Sequence, residues 1–315
     1  MVIEFSGQVI GDYCTTTDNR WNIEIGKHRH RRVFLESAKI GMTLDDGYEM
    51  HESDHGSERL EGVLSFITQT ARTGIPLKQV IEADFVCRRG LLRNLAMNGH
   101  CKTDINFYAV RRRGVIFLCE DKNLGEIPDK LRRAMYYGQK FENVMTTPPE
   151  RTVLAVRKEE TKTVVRASLT KPGAEPIRLY YAAQIDGLDE EGKPVELKTI
   201  SKPLETGWDK SRSLAWFVTC YLANVEKIYV GERQRNRLRQ FRILDSKQIN
   251  ALNVHPWTIN GCLEKLYDIL SYVKSYMIQE GLALKFKFKG GYGTADVTDF
   301  GDYIVPEHFL RVFPF

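Results

Sequence analysis

The stretch QIDGLDEEGKPVELKT, residues 184–199, alternates polar and apolar positions on either side of a turn. YYAAQID carries β-formers up to Asp186, GLDEEGKP is rich in Gly, Asp and Pro, and VELKTI resumes an extended run, so two strands around a turn are predicted. Side chains alternate across a strand: Val195, Leu197 and Thr199 share one face, Glu196 and Lys198 the other, and Gln184 shares a face with Asp186. A register that brings the polar faces together predicts one cluster of Gln184, Asp186, Glu196 and Lys198.

Two other stretches follow a helical period. In IPDKLRRAMYYGQKFENVMTT, Pro128 and Asp129 suit a helix start, and Leu131, Met135, Gly138, Glu142 and Met145 recur at three- and four-residue steps. Glu142 is thereby expected to project from a largely apolar stripe, where a carboxylate requires a partner or a metal; a helix-edge glutamate in a salt bridge gives the same pattern. In WTINGCLEKLYDILSYVKSYM, the stripe of Ile259, Leu263, Leu266, Leu270, Val273 and Met277 is core-facing. Arg111–Arg113 precede the apolar GVIFLCE and mark a strand entry. Trp208, Trp216 and Trp257 are candidates for stacking on bases, but Trp216 and Trp257 border apolar helices and are expected in the core.

The chain has 315 residues, 42% of them hydrophobic, enough for a substantial core, and no linker or internal repeat divides it, so one domain over 1–315 is expected. No apolar run approaches membrane-spanning length, and the start MVIEFSGQVIGDYC has no signal pattern; a soluble, unsecreted protein without a membrane partner is expected. Six cysteines (Cys14, Cys87, Cys101, Cys119, Cys220, Cys262) form no C-x-x-C pair, which excludes a zinc ribbon and disfavours a disulfide scaffold; a reducing compartment, nuclear or cytoplasmic, fits. The net charge of +5 is modest, but KHRHRR at 27–32, RRR at 111–113 and GERQRNRLRQFR at 231–242 concentrate it; such runs track a phosphate backbone or are solvated faces.

HESDH at 51–55 spells H-E-x-x-H, yet glycines flank it and no apolar periodicity supports a helix, so a polar loop is expected instead of a zinc site. His28 and His30 lie among positive charges that repel a cation and are expected at the surface or on nucleic acid. Asp186, Glu196 and Lys198 have the chemistry of a divalent-metal phosphodiester site: hard cations take oxygen ligands, and the lysine neutralises phosphate. DEEGK is also an ordinary charged turn.

RRGLLRN at 88–94, MYYGQKFENVM at 135–145, AQIDGLD at 183–189, VELKT at 195–199 and WFVTCYLANVEKIYVGER at 216–233 occur in an order and spacing that resembles the DXO family of eukaryotic RNA 5′-end decapping nucleases, over about residues 60–280. The resemblance implies an α/β (α+β) fold, a single domain with central mixed β-sheet flanked by helices and a deep active-site pocket. It implies removal of incomplete caps, 5′ triphosphate or NAD from single-stranded RNA 5′ ends, 5′-to-3′ exonuclease action, Mg²⁺ or Mn²⁺ as cofactor, and in some members a 5′-to-3′ exoribonuclease as partner. By position, Arg89 resembles the arginine beside substrate phosphate, Glu142 the helix-borne metal ligand, Asp186 and Glu196 the sheet-borne ligands, the Leu197 carbonyl a further ligand, and Lys198 the phosphate-contacting lysine.

Two positions depart from that pattern. Gln184 stands where the family has Glu, removing a charge that a second metal ion needs, and Thr219 stands where the family has a glutamine near the scissile phosphate. The expectation is therefore a decapping nuclease with weakened catalysis, or else an RNA-binding or scaffold protein retaining the fold. A protein-interaction module with relic acids is disfavoured, because an abandoned site has no reason to keep a costly polar cluster.

Overall fold

Runs of β-branched and aromatic residues set the strands, and the central ones, over Phe85–Arg88, Val115–Glu120 and Ile177–Gln184, are buried almost continuously, as a sheet covered on both faces requires. The computed structural model describes residues 2–26, 30–50, 58–100, 104–121, 127–153, 156–252, 257–289 and 292–314. Its strands are β1 Glu4–Thr16, β2 Ile23–Ile25, β3 Phe85–Arg88, β4 Ile105–Arg112, β5 Val115–Glu120, β6 Glu159–Thr170, β7 Ile177–Gln184, β8 Gly187–Leu188, β9 Pro194–Ile200, β10 Lys227–Gln234, β11 Arg237–Asp245, β12 Ala283–Lys289 and β13 Tyr292–Val297. The helices are α1 Glu61–Thr70, α2 Leu77–Ile81, α3 Arg89–Met97, α4 Asp129–Met145, α5 Leu204–Gly207, α6 Lys210–Tyr221, α7 Ile259–Tyr276, α8 Gly301–Ile304 and α9 Glu307–Leu310.

Nine strands form a mixed sheet in the order β13-β12-β4-β5-β3-β7-β6-β1-β2, and four form a smaller one in the order β11-β10-β9-β8. In the large sheet β5, β3 and β7 run parallel; in the small one β9 and β10 do. On one face of the large sheet Phe85, Cys87, Leu179 and Tyr181 pack with Leu92 of α3, Leu214 of α6 and Leu266 of α7. On the other, Val86, Val164, Tyr180 and Ala182 pack with Leu64 and Ile67 of α1 and with Phe309 and Phe313 near the C-terminus. The mixed α/β architecture flanked by helices is as expected.

The stripe of α7 is core: Leu263, Leu266, Leu270, Val273 and Met277 are buried, each contributing about 1.5–3 kcal/mol relative to exposure. Thr258 caps this helix through the Gly261 amide at 3.2 Å, and Asp209 caps α6 through the Arg212 amide at 2.8 Å, contacts worth about 1 kcal/mol apiece. Arg111–Arg113 do mark a strand boundary: Arg113 and Gly114, both at positive φ, turn β4 into β5. Trp216 and Trp257 are buried, and the partly buried Trp208 stacks edge-on against Trp216 at 5.2 Å, so all three serve packing. Among the described residues no helix is long and apolar enough to cross a membrane.

The strands around Asp186 do not form one hairpin. β7 ends at Gln184 and pairs with β6 and β3 in the large sheet, while β9 lies in the small sheet and pairs with the two-residue β8 and with β10. Apolar Leu179, Tyr181 and Ala183 hold β7 within the large core, and Val195 and Leu197 face a separate core around Phe141; the two sets of partners pull the strands apart. The helical stripe is corrected too. Leu131 and Met135 are 53% and 47% exposed; of the expected stripe α4 buries Met145, and it adds Tyr136, Phe141 and Val144, because Phe141 and Met145 fill the small core.

Candidate active site

The polar residues collect at the seam between the two sheets. Past Gln184, Ile185 still bonds to Thr161 of β6, its amide and carbonyl each 3.0 Å from a Thr161 oxygen, and the chain then turns into the small sheet at Asp186. Gly187 permits the turn: a Cβ there would stand 2.7 Å from Val33 Cγ2 and 3.3 Å from the Arg31 carbonyl oxygen. The Asp186 Oδ2 accepts the Leu197 amide at 2.8 Å, doing for β9 what β8, paired only with Pro194 and Val195, is too short to do.

Lys198 donates to Glu196 Oε1 and, at 3.1 Å, to the Leu197 carbonyl, and its ammonium lies 3.6 Å from Asp186 Oδ2. Arg89, the first residue of α3, places Nη1 3.5 Å from Glu196 Oε2 and 3.5 Å from the Thr219 carbonyl. Arg93 follows one turn later on the same helix face and bonds Asn94 Oδ1 at 3.0 Å. Burial of Phe141 against Val195 and Leu197 turns Glu142 toward Asp186. Arg89, Glu142, Asp186, Glu196, Leu197 and Lys198 are thus brought together, although their acids come from α4, the link between β7 and β8, and β9.

Burial, and next the charge of Asp186, push the Glu142 carboxyl well above the usual range. Burial and Glu196 push Asp186 up to about 6. Burial also works against the Glu196 charge, but Lys198 and Arg89 outweigh it and hold that carboxyl low. Lys198 is raised despite its burial, by Glu196, Asp186 and Glu142. Carboxylates that crowd one another into holding protons suit a divalent cation. The donor set is all oxygen, three carboxylates and the Leu197 carbonyl, which fits Mg²⁺ or Mn²⁺. Among the described residues no three His, Cys, Asp or Glu side chains already stand in a ligating arrangement; Lys198 lies between Glu196 and Asp186 and supplies their positive charge.

The two departures sit differently. Gln184 is in register with Lys162 on β6. Thr219 is buried and its hydroxyl donates to the Ala215 carbonyl at 2.7 Å, so the donor expected to face phosphate is used inside α6, and it is the Thr219 carbonyl that meets Arg89.

A second charged cluster, missed in the sequence, lies beside Gln184. Lys162 is buried, bonds Glu58 Oε1 and lies 2.9 Å from Glu160 Oε2, while Arg88 Nη2 is 2.7 Å from Glu58 Oε2. Burial raises Glu58, but Lys162 and Arg88 overcome it and hold that carboxyl down at about 2. The signal was EETKT, which sets Glu160 and Lys162 two residues apart on one strand face.

The basic runs are largely engaged within the protein. His30 is not a surface contact: its ring is buried and bonds Asp12 Oδ1 at 3.0 Å, since Asp12 would otherwise be a buried charge with less compensation. Arg31 pairs with Glu159 at 2.9 Å. Arg242 pairs with Glu205 and, at 2.8 Å, with Glu232, and Arg233 stacks on Tyr137 at 4.8 Å. His28 and HESDH at 51–55 lie outside the described residues.

Asp186 followed by Glu196-Leu197-Lys198 has the order and spacing of the D…(D/E)-x-K nuclease pattern. A family model described as RAI1 like PD-(D/E)XK nuclease matches residues 7–309, and the chain belongs to that family. The decapping nuclease dom-3 of Caenorhabditis elegans is 29% identical, over 98% of this chain and 85% of that relative. Two solved structures share the fold: Scheffersomyces stipitis Rai1 in complex with (3′-NADP)⁺ and calcium ion, with TM-score 0.74, 14% identity and coverage of 98% of this chain and 95% of that one; and Candida albicans Rai1 in complex with pU5-Mn²⁺, with TM-score 0.72, 16% identity and coverage of 98% and 94%.

Proposed function

We propose that the protein hydrolyses phosphoryl bonds at the 5′ ends of single-stranded RNA with Mg²⁺ or Mn²⁺, removing incomplete caps, triphosphate or NAD, with 5′-to-3′ exonuclease action at the same site. The observation that carries this reading is the meeting of Glu142, Asp186 and Glu196 around Lys198, in a chain of this family. Glu142, Asp186, Glu196 and the Leu197 carbonyl would hold the cation, which when bound polarises a phosphoryl oxygen and activates water. Lys198 neutralises charge that builds on the phosphoryl oxygens, from a position fixed by Glu196 and the Leu197 carbonyl. Arg89 and Arg93, one helical turn apart, receive the flanking phosphates. Turnover is lower than in members with Glu at position 184 and Gln at 219, because the Thr219 hydroxyl is committed to Ala215. Nuclear or cytoplasmic placement and a 5′-to-3′ exoribonuclease partner belong to the same proposal and are supported by family membership alone.

The test is incubation of triphosphate-ended, capped and NAD-capped RNA with the protein and Mg²⁺ or Mn²⁺, with analysis of the released products. Product formation that disappears in Glu196→Ala supports the reading. Tight RNA binding with no product from any substrate transfers the site to an RNA-binding or scaffold role.

A further inference from the structure

We propose that Glu160 supplies the carboxylate that position 184 lacks, so that the negative charge facing the divalent cation is moved one strand across the sheet and not lost. The inference rests on the metal-dependent reading above and adds a residue to that site. Lys162 stands directly opposite Gln184, and the pairing continues through Thr161 and Ile185. Glu160 is therefore the next residue on the same strand face as Lys162, diagonal to Gln184 and within reach of one long side chain. A glutamate at 184 would lie against Lys162; in this chain Glu160 does, at 2.9 Å.

That contact leaves Glu160 capacity for another partner. Its Oε2 is buried, and although the Lys162 ammonium is close, the approach is too poorly directed to be a hydrogen bond. Lys162 meanwhile has a bond to Glu58. A carboxylate beside Lys162 and diagonal to Gln184 is placed to act on the same cation as Asp186 does.

The experiment is titration of the full chain with Mn²⁺, the free ion read by electron paramagnetic resonance, for the wild type, Glu160→Gln, Gln184→Glu, the double variant Glu160→Gln with Gln184→Glu, and Glu159→Gln, an exposed neighbour paired with Arg31. Glu160→Gln is expected to weaken Mn²⁺ binding about tenfold or more. The double variant is expected to return to within about threefold of the wild type, and Gln184→Glu alone to gain less than about threefold, because the charge is already present. Glu159→Gln is expected to bind as the wild type does. Unchanged binding in Glu160→Gln, or a loss that Gln184→Glu does not restore, overturns the assignment while leaving the metal-dependent reading in place. If Glu160→Gln does not fold, a gain of about tenfold or more in Gln184→Glu alone overturns it. A wild type that binds no Mn²⁺ overturns both.

Discussion

Asp186 lies in the two-residue link between β7 of the large sheet and β8 of the small one, and its carboxylate accepts the amide of Leu197 in β9 at 2.8 Å. The same side chain thus completes a backbone ladder and faces Lys198. Asp186→Asn keeps an acceptor oxygen and removes the charge. We expect it to unfold near the wild-type temperature while RNA cleavage falls by about 100-fold or more. Asp186→Ala leaves the amide without its acceptor and costs about 1–3 kcal/mol in addition. Thermal unfolding and single-turnover cleavage on both variants separate the two roles.

Gly187→Ala tests the turn that delivers Asp186. Val33 can shift, but the Arg31 carbonyl, 3.3 Å from the added carbon, is backbone. A stability loss of about 1–3 kcal/mol in urea is expected, with cleavage reduced further than the unfolded fraction explains.

Glu58 contributes to stability that acid removes. Its folded pKa, about 2, lies below the ordinary 4.5, so the contribution is present above pH 4.5 and is lost as pH falls toward 2. The shift corresponds to roughly 3 kcal/mol. Urea unfolding measured from neutral pH down to pH 2 should show that decline in the wild type, and Glu58→Gln should be less stable at neutral pH with a flatter profile over the same range.

RNA binding should weaken with salt, with a slope of log affinity against log salt near −0.7 for every phosphate contacted. Arg89→Ala should make that slope shallower by about 0.7. Filter binding at several salt concentrations checks this, and an unchanged slope would remove Arg89 from the phosphate path.

The members of the candidate cluster were legible in the sequence because their placement is local: Glu196 and Lys198 share a strand face by alternation, and Glu142 falls on a long, well-marked helix. What alternation does not carry is which sheet a strand joins. Asp186 read as one arm of a hairpin because GLDEEGKP has turn composition, whereas the apolar partners of Ala183 and Leu197, far apart in sequence, decide the separation. Leu131 and Met135 misled for a related reason: periodicity marks a face, but Phe141 and Met145, near the helix end, are the ones that meet the small core. Lys162 escaped notice because its meaning depends on Gln184 standing opposite and on Glu58 arriving from a remote segment.

A centre assembled from the end of one sheet, a strand of another and a helix resting on the second exists only while all three are docked. Separation of the small sheet from the large one would part Arg89 from Glu196 and would open the core that Ile228 and Val230 of β10 share with the large sheet. Such a molecule carries no competent cluster during synthesis until β9 has been made and seated. The chain is therefore harmless to RNA through most of its own folding, and on gentle heating it should fall silent before its secondary structure melts.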